Sequence, residues 1–141
     1  MSDEQSLKVE VVTPEGGVYN GAVEMVVIPG VEGELGIMRH HQPLVTLLAV
    51  GETHLKLLDG QIEYLATGIG YAQVLFDRVL VVVDQAELAG AIDVERARAA
   101  EERSRARLAL RGDPAAKAEV DFYRAEQALK RATNRLRVAG R

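Results

Sequence analysis

The 141 residues carry a net charge of −4, no cysteine and 48% apolar side chains, which suits one modest core or a small domain with an appendage. Disulfides are excluded, no apolar run nears the roughly 20 residues that span a bilayer, and the polar, acidic start Met1-Ser2-Asp3-Glu4 reads as neither a signal nor a transit peptide. The charge is split: residues 1–92 hold 4 Lys/Arg and 13 Asp/Glu, a net −9, and residues 93–141 hold 13 and 8, a net +5. Such a division predicts two parts that face different partners or each other.

The chain opens with period-two alternation. Leu7, Val9 and Val11 interleave with Lys8 and Glu10, the pattern of a half-buried strand. Thr13 to Gly17 reads as a turn, Val18-Tyr19 as a very short strand, and Asn20-Gly21 as a tight turn. Val23 to Ile28 is the next strand, ended by Pro29-Gly30. Gly33 to Leu48 then reads as a short strand, a polar loop of Arg39, His40, His41 and Gln42, and a second strand after Pro43. Proline removes a donor and pushes Gln42 towards an extended conformation. Thr53–Leu58 and Gln61–Ala66 flank Asp59-Gly60, a hairpin signature in which both central residues take positive φ. Tyr71–Phe76 and Val79–Val83 pair across Asp77-Arg78, and Val79–Val83 is apolar on both faces, as a strand inside a core requires. Eight to ten short strands with regular turns predict an antiparallel β-sandwich or flattened barrel over residues 1–88.

At about Gly90 valine and glycine give way to alanine, arginine and glutamate. Asp93 is placed to cap a helix from about Val94 to Leu110, with Glu95 favouring its dipole. Arg111-Gly112 ends it, and Asp113-Pro114 is expected to start a second helix that runs to about Val138. On that helix Ala118, Phe122, Ala125, Leu129, Ala132 and Leu136 form one apolar seam. The first helix offers mainly Ala97, Ala99, Ala100 and Ala106, with Leu108 and Leu110. These helices predict an antiparallel two-helix hairpin over residues 89–141, with a thin interface that detaches or opens at a small free-energy cost.

Two constellations carry chemistry. The loop segment presents Glu34, Arg39 and His41 on a β scaffold. In the hairpin, Arg131 and Arg135 lie four apart on one helix face, and an antiparallel arrangement brings Arg96 near them. Guanidinium forks suit phosphate oxygens, and a carboxylate such as Glu87 or Asp93 can accept from an adenine amino group. The plainer reading keeps Asp93 as a helix cap and Arg96 as a surface residue. No nucleophile with a base and no phosphate-cradling loop occurs, so no catalytic residue is expected. Adjacent strand residues point to opposite faces, so His40 and His41 are poor joint ligands and no metal site is expected. Acids are interleaved through the basic helices, and Phe122 and Tyr123 are their only aromatics, which argues against nucleic acid.

Gly33-Glu34-Leu35-Gly36-Ile37, followed by His41, Pro43 and Leu44, resembles the G-x-L-G-I-L-P-x-H-x-P-L signature of the epsilon subunit of F-type ATP synthases. Met38 stands for the usual leucine and Arg39 for the usual proline. Ile92-Asp93-Val94-Glu95-Arg96-Ala97 is similar to the I/L-D-x-x-R-A motif of the members that bind ATP. The resemblance implies a β-sandwich followed by a helical hairpin. It implies ATP as a regulatory ligand, held without a metal by Glu87, Ile92, Asp93, Arg96, Ala97, Arg131 and Arg135. It implies a gamma subunit and a c-ring as partners of the sandwich, with Glu34, Arg39 and His41 at that interface. Alpha and beta head subunits are the expected partners of an extended hairpin that blocks ATP hydrolysis. The expected location is the cytoplasmic face of a bacterial membrane, peripherally bound without insertion, and the isolated chain is expected to be monomeric. A free-standing ATP-sensing or adaptor domain is the competing class.

Overall fold

The computed structural model describes residues 6–115 and 120–141. Met1 to Glu4 and the expected seam position Ala118 lie outside the described residues. Nine strands come first: β1 (Leu7–Thr13), β2 (Gly16–Gly30), β3 (Gly33–Met38), β4 (Leu44–Leu48), β5 (Gly51–Leu57), β6 (Ile62–Thr67), β7 (Gly70–Val74), β8 (Arg78–Val83) and β9 (Ala86–Leu88). A single 3₁₀ turn, Ala89–Ala91, leads into α1 (Val94–Leu108), and α2 (Phe122–Ala139) comes last.

The strands form the sandwich that the alternation predicts. The hydrogen-bonded path runs β1-β8-β7-β4-β2-β5-β6-β9, with β3 on β2 and a second pairing of β1 with β2. One layer therefore holds β4, β7, β8, β1 and the first half of β2. The other holds the second half of β2 with β3, β5, β6 and β9. The period-two side chains Leu7, Val9 and Val11 meet Val23, Val26, Ile28, Ile37, Leu55, Leu65, Val79 and Val81 in a core closed to solvent.

Four local readings change. β2 runs unbroken through Asn20-Gly21, which pair with Glu10 and Val9. The turn signal loses because β1 supplies a continuous ladder on that side, and Gly21 leaves room for the Tyr19 ring lying over it. At Asp59-Gly60 only Gly60 has positive φ, at 90°. The Asp59 carboxylate accepts from the Gln61 N–H instead, and the Leu57 N–H reaches the Gln61 carbonyl across a longer turn. The sheet is not wholly antiparallel, because β1 and β8 pair in parallel from Lys8↔Arg78 to Val12↔Val82. Finally, β8 buries Val79, Val81 and Val83 but leaves Leu80 and Val82 half-covered on the outer face. Where β7 begins, Gly70 lies so close to β8 that a Cβ would stand 1.9 Å from the Val82 carbonyl oxygen, so only glycine fits.

In the hairpin, Asp93 caps α1 by accepting from the Arg96 N–H at 3.1 Å. α1 ends at Leu108, two residues earlier than expected, and Gly112 takes the left-handed conformation in the turn beyond it. Asp113 does not cap the second helix. Its carboxylate closes a local turn onto the Ala115 N–H, and Asp121 caps α2 through the Arg124 N–H at 3.0 Å. α2 therefore begins later than the Asp113-Pro114 start that the sequence suggested. The helices are antiparallel: Arg111, just past α1, pairs with Glu126 early in α2, and Arg96 and Arg135 share a cleft at the other end.

Their interface is thin, as the alanines predict, but its composition differs. On α1 only Ala97 and Ser104 are buried, with Ala100 and Leu108 half-buried, while Ala99, Ala106 and Leu110 face solvent. Ser104 sits in the seam because its hydroxyl donates to the Ala100 carbonyl at 2.9 Å, which satisfies it within the helix. On α2 Ala125 and Ala132 are buried and Phe122, Leu129 and Leu136 half-buried.

Candidate functional site

The last turns of α2 lie on the outer face of β5, β6 and β9, and the contact has a small apolar centre. Val138 is fully buried against Ile92 and Ala66, with Tyr64, Ala89 and Ala139 around them. The remaining contacts are polar. The buried Asn134 amide donates to the Gly51 carbonyl at 2.8 Å. Arg141 forks onto Glu52, its Nε and Nη2 at 2.7 and 2.9 Å from the two carboxylate oxygens. Its guanidinium also lies 5.3 Å from the centre of the Tyr64 ring. The hydrogen bonds and charge of Glu52 raise Arg141 above its ordinary pKa.

Glu87 and Arg135 meet across this junction. The Arg135 Nη2 donates to Glu87 Oε2 at 3.1 Å, and Nε lies 2.6 Å from Oε1, outside hydrogen-bonding angle. Beside the pair opens a cleft of about 520 Å3, lined by Glu87, Arg96 and Arg135 together with Gly16, Asp84 and Gln85 among others. Two guanidinium groups and three carboxylates, those of Glu15, Asp84 and Glu87, thus border one cavity large enough for a nucleotide. Arg131 borders a separate, small recess with Glu87, Asn134 and Arg135.

The expected ligand set is therefore gathered in part. Glu87, Arg96 and Arg135 share the cleft, and Arg131 stands behind it. Asp93 is exposed at the head of α1 with its carboxylate engaged as a cap. Ile92 and Ala97 are buried, Ile92 in the small cluster under α2.

The second constellation is divided. Glu34 is exposed next to the β2–β3 turn, opposite Pro29. Arg39 and His41 lie half-buried in the β3–β4 loop. The six residues of β3 hold these ends about 20 Å apart, so the three side chains do not form one cluster. His41 is tied down by a 2.7 Å contact from Nδ1 to the Gln42 carbonyl oxygen. His40 takes positive φ, at 73°. Its N–H donates to the Phe76 carbonyl and its ring stacks on Phe76 at 4.4 Å, which together hold the loop against the β7–β8 turn.

The reading of loops and charges missed an apolar face. On the outer side of β4 and β7, Val45 is 67% exposed, Leu47 64% and Tyr71 43%. Leu47 pairs with Tyr71, Tyr71 with Val82 and Val82 with Val12, so one apolar row crosses four strands. Such a row on a sheet face is a candidate contact surface. Its signal in the sequence is the apolar residues of Leu44–Leu48 and Val79–Val83 at positions that period two assigns to the outside.

A family model described as the beta-sandwich domain of the ATP synthase delta/epsilon chain matches residues 6–89, and one described as its long alpha-helix domain matches residues 91–140. The chain belongs to the ATP synthase delta/epsilon family. Its relatives include the ATP synthase epsilon chain of Halalkalibacterium halodurans, 48% identical over 136 residues, covering 96% of this chain and 98% of the relative. The epsilon chain of Alkalihalophilus pseudofirmus is 49% identical over 136 residues, with the same coverage of each. The fold also matches a chain in the cryo-EM structure of the Euglena gracilis mitochondrial ATP synthase, with a TM-score of 0.78 and 22% identity over 97% of this chain and 82% of that one. The epsilon resemblance read from Gly33–Leu44 thus extends over 96% of the chain. Among the described residues, no helix of this epsilon-family chain is long and apolar enough to cross a membrane.

Proposed function

We propose that this chain is the non-catalytic epsilon subunit of the rotor of an F-type ATP synthase, and that its hairpin is a detachable, ATP-sensitive regulator. The sandwich joins a gamma subunit to a c-ring. The apolar row through Leu47, Tyr71 and Val82 is the face for gamma, and the β2–β3 turn with Glu34 and the loop with Arg39 and His41 complete these contacts. The complex lies on the cytoplasmic side of a bacterial membrane. Folded down, the hairpin permits ATP hydrolysis; extended, it places its arginines against acidic surfaces of the alpha and beta head subunits and blocks rotation.

The observation that carries the regulatory part is that the Glu87–Arg96–Arg135 cleft is walled by the sandwich on one side and the hairpin on the other, so it exists only when the hairpin is folded. A ligand bound there stabilises the folded form by RT ln(1 + [L]/Kd). The two arginines face the phosphates, Arg131 stands behind them, and no metal takes part. Glu87 must exchange Arg135 for the ligand as the phosphates enter. Calorimetric titration of the isolated chain with ATP, with and without magnesium, tests this. Saturable binding in both, weakened at least about tenfold by Arg135→Ala or Arg96→Ala, is expected from the loss of a charge-assisted hydrogen bond. No heat at millimolar ATP would remove the ligand and leave Asp93 a helix cap. Co-purification with gamma and a c-ring separates this reading from a free-standing sensor, which would travel alone.

A further inference from the structure

On the opposite flank of α2 from the arginine cleft lies a larger groove, of about 600 Å3. One wall comes from three turns of the sandwich, with Val31, Leu48, Ala49, Val50 and Ile69. The other wall is a stripe along α2: Gln127, Lys130, Thr133, Asn134 and Arg137. The stripe covers about 15 Å of helix at 1.5 Å per residue.

The two walls differ in chemistry. The turn wall is apolar, and Val31 and Ile69 are each 56% exposed. The helix wall carries two cations, and no acid lines the groove. Among the described residues Lys130 takes part in no ion pair, and Arg137 has only the neutral Asn134 side-chain oxygen, at 2.8 Å. The groove also continues the apolar sheet face. The Val31 N–H donates to the Leu47 carbonyl at 3.0 Å, and Ile69 directly precedes β7, where Tyr71 pairs with Leu47.

We propose that this groove docks an acidic, amphipathic segment of the same neighbouring subunit that covers the apolar sheet face, and does so only while the hairpin is folded. The segment's apolar side lies on Val31 and Ile69, and its carboxylates meet Lys130 and Arg137. Because half of the site belongs to the sandwich and half to α2, the occupant holds the hairpin down whatever fills the arginine cleft. The hairpin is then under two separate controls, one by ligand and one by assembly. The inference rests on the detachable hairpin proposed above.

The chain has no cysteine, so single reporters can be placed in it. Val31→Cys and Gln127→Cys report on the two walls, and Leu47→Cys on the sheet face. Maleimide labelling is compared in the isolated chain and in the purified, assembled ATP synthase. Assembly is expected to slow both groove reporters about tenfold or more, since protection scales with 1 + [L]/Kd. Adding Lys130→Glu and Arg137→Glu is expected to restore both rates while Leu47→Cys stays protected. The milder Lys130→Gln and Arg137→Gln pair should give a partial return. Protection of the Val138 amide against exchange in each isolated variant checks that the hairpin still docks. Equal labelling with and without assembly would overturn the proposal, as an empty groove. Protection that ignores charge reversal would overturn it as well, since the occupant is then not acidic. So would slowing of the isolated chain by ATP or by anionic vesicles to the level seen on assembly, which assigns the groove to a small anion or a lipid surface. Protection of Val31→Cys without Gln127→Cys would instead mean an extended hairpin in the assembly, a failure of the folded state itself.

Discussion

At the scale of single residues, Tyr19 shows how a side chain's surroundings become a solution property. Partial burial, reinforced by the charge of Glu63, raises the Tyr19 hydroxyl above its ordinary pKa of 10.0. The folded chain then keeps this proton over a range where the unfolded chain has released it. Stability is unaffected below pH 10 and falls as pH rises from there through the folded pKa. Denaturant unfolding measured across that range should show a flatter alkaline limb for Tyr19→Phe than for the parent. An unchanged slope would mean that Tyr19 ionises equally in both states. The Tyr19 ring lies over Gly21, in the stretch where a sequence turn signal gives way to continuous ladder. Asn-Gly marks a turn only where no partner strand continues past it, and β1 does continue.

At the scale of elements, α2 is the part of the hairpin that docks, and α1 is carried with it. α1 buries only Ala97 and Ser104, whereas α2 sends Val138 and Asn134 onto the sandwich. Val138→Asp puts a carboxylate into the apolar centre beside Ile92 and Ala66, and should release the end of α2 while the strands stay folded. Hydrogen exchange is expected to rise by at least about tenfold in residues 122–139, consistent with about 2 kcal/mol or more for burying an unpaired polar group, without change in β1 to β8. A coupled rise in the strands would show the hairpin to be part of the sandwich core. Much of this was legible in the sequence. Alternation located the strands and the Asp93 cap located α1, because each signal is local. Asp113 misled because an aspartate before proline satisfies a turn as readily as a helix start, and the contacts of the next residues decide between the two. The family resemblance named Glu87 and Arg135 in one constellation, but not as partners of each other. The Glu52–Arg141 and Asn134–Gly51 contacts were not legible, since pairs more than 80 residues apart leave no periodic trace.

At the scale of the whole molecule, the uneven charge read from the sequence acts across the junction. An acidic sandwich faces a basic hairpin, and among the described residues the close ionic contacts between them are Glu87–Arg135 and Glu52–Arg141. Both pairs are only partly buried, so each contributes modestly and salt still weakens it. Raising salt from about 0.05 to 0.5 M shortens the screening length severalfold and should shift the hairpin towards release, read by a fluorophore pair between α2 and β5. The unfolding midpoint of the strands should hold steady. Insensitivity to salt would place the docking in the Val138 cluster alone.

The path of β2 carries a mechanical consequence. Its first half is hydrogen-bonded to β1 in one layer and its second half to β3 and β5 in the other. Two sheets held only by side-chain packing can shear past one another under load. Here, sliding would stretch a continuous covalent backbone. Torque applied at the apolar sheet face, if that face meets gamma as proposed, would therefore reach the opposite sheet without slack, and the elastic compliance of the molecule would be left to the hairpin.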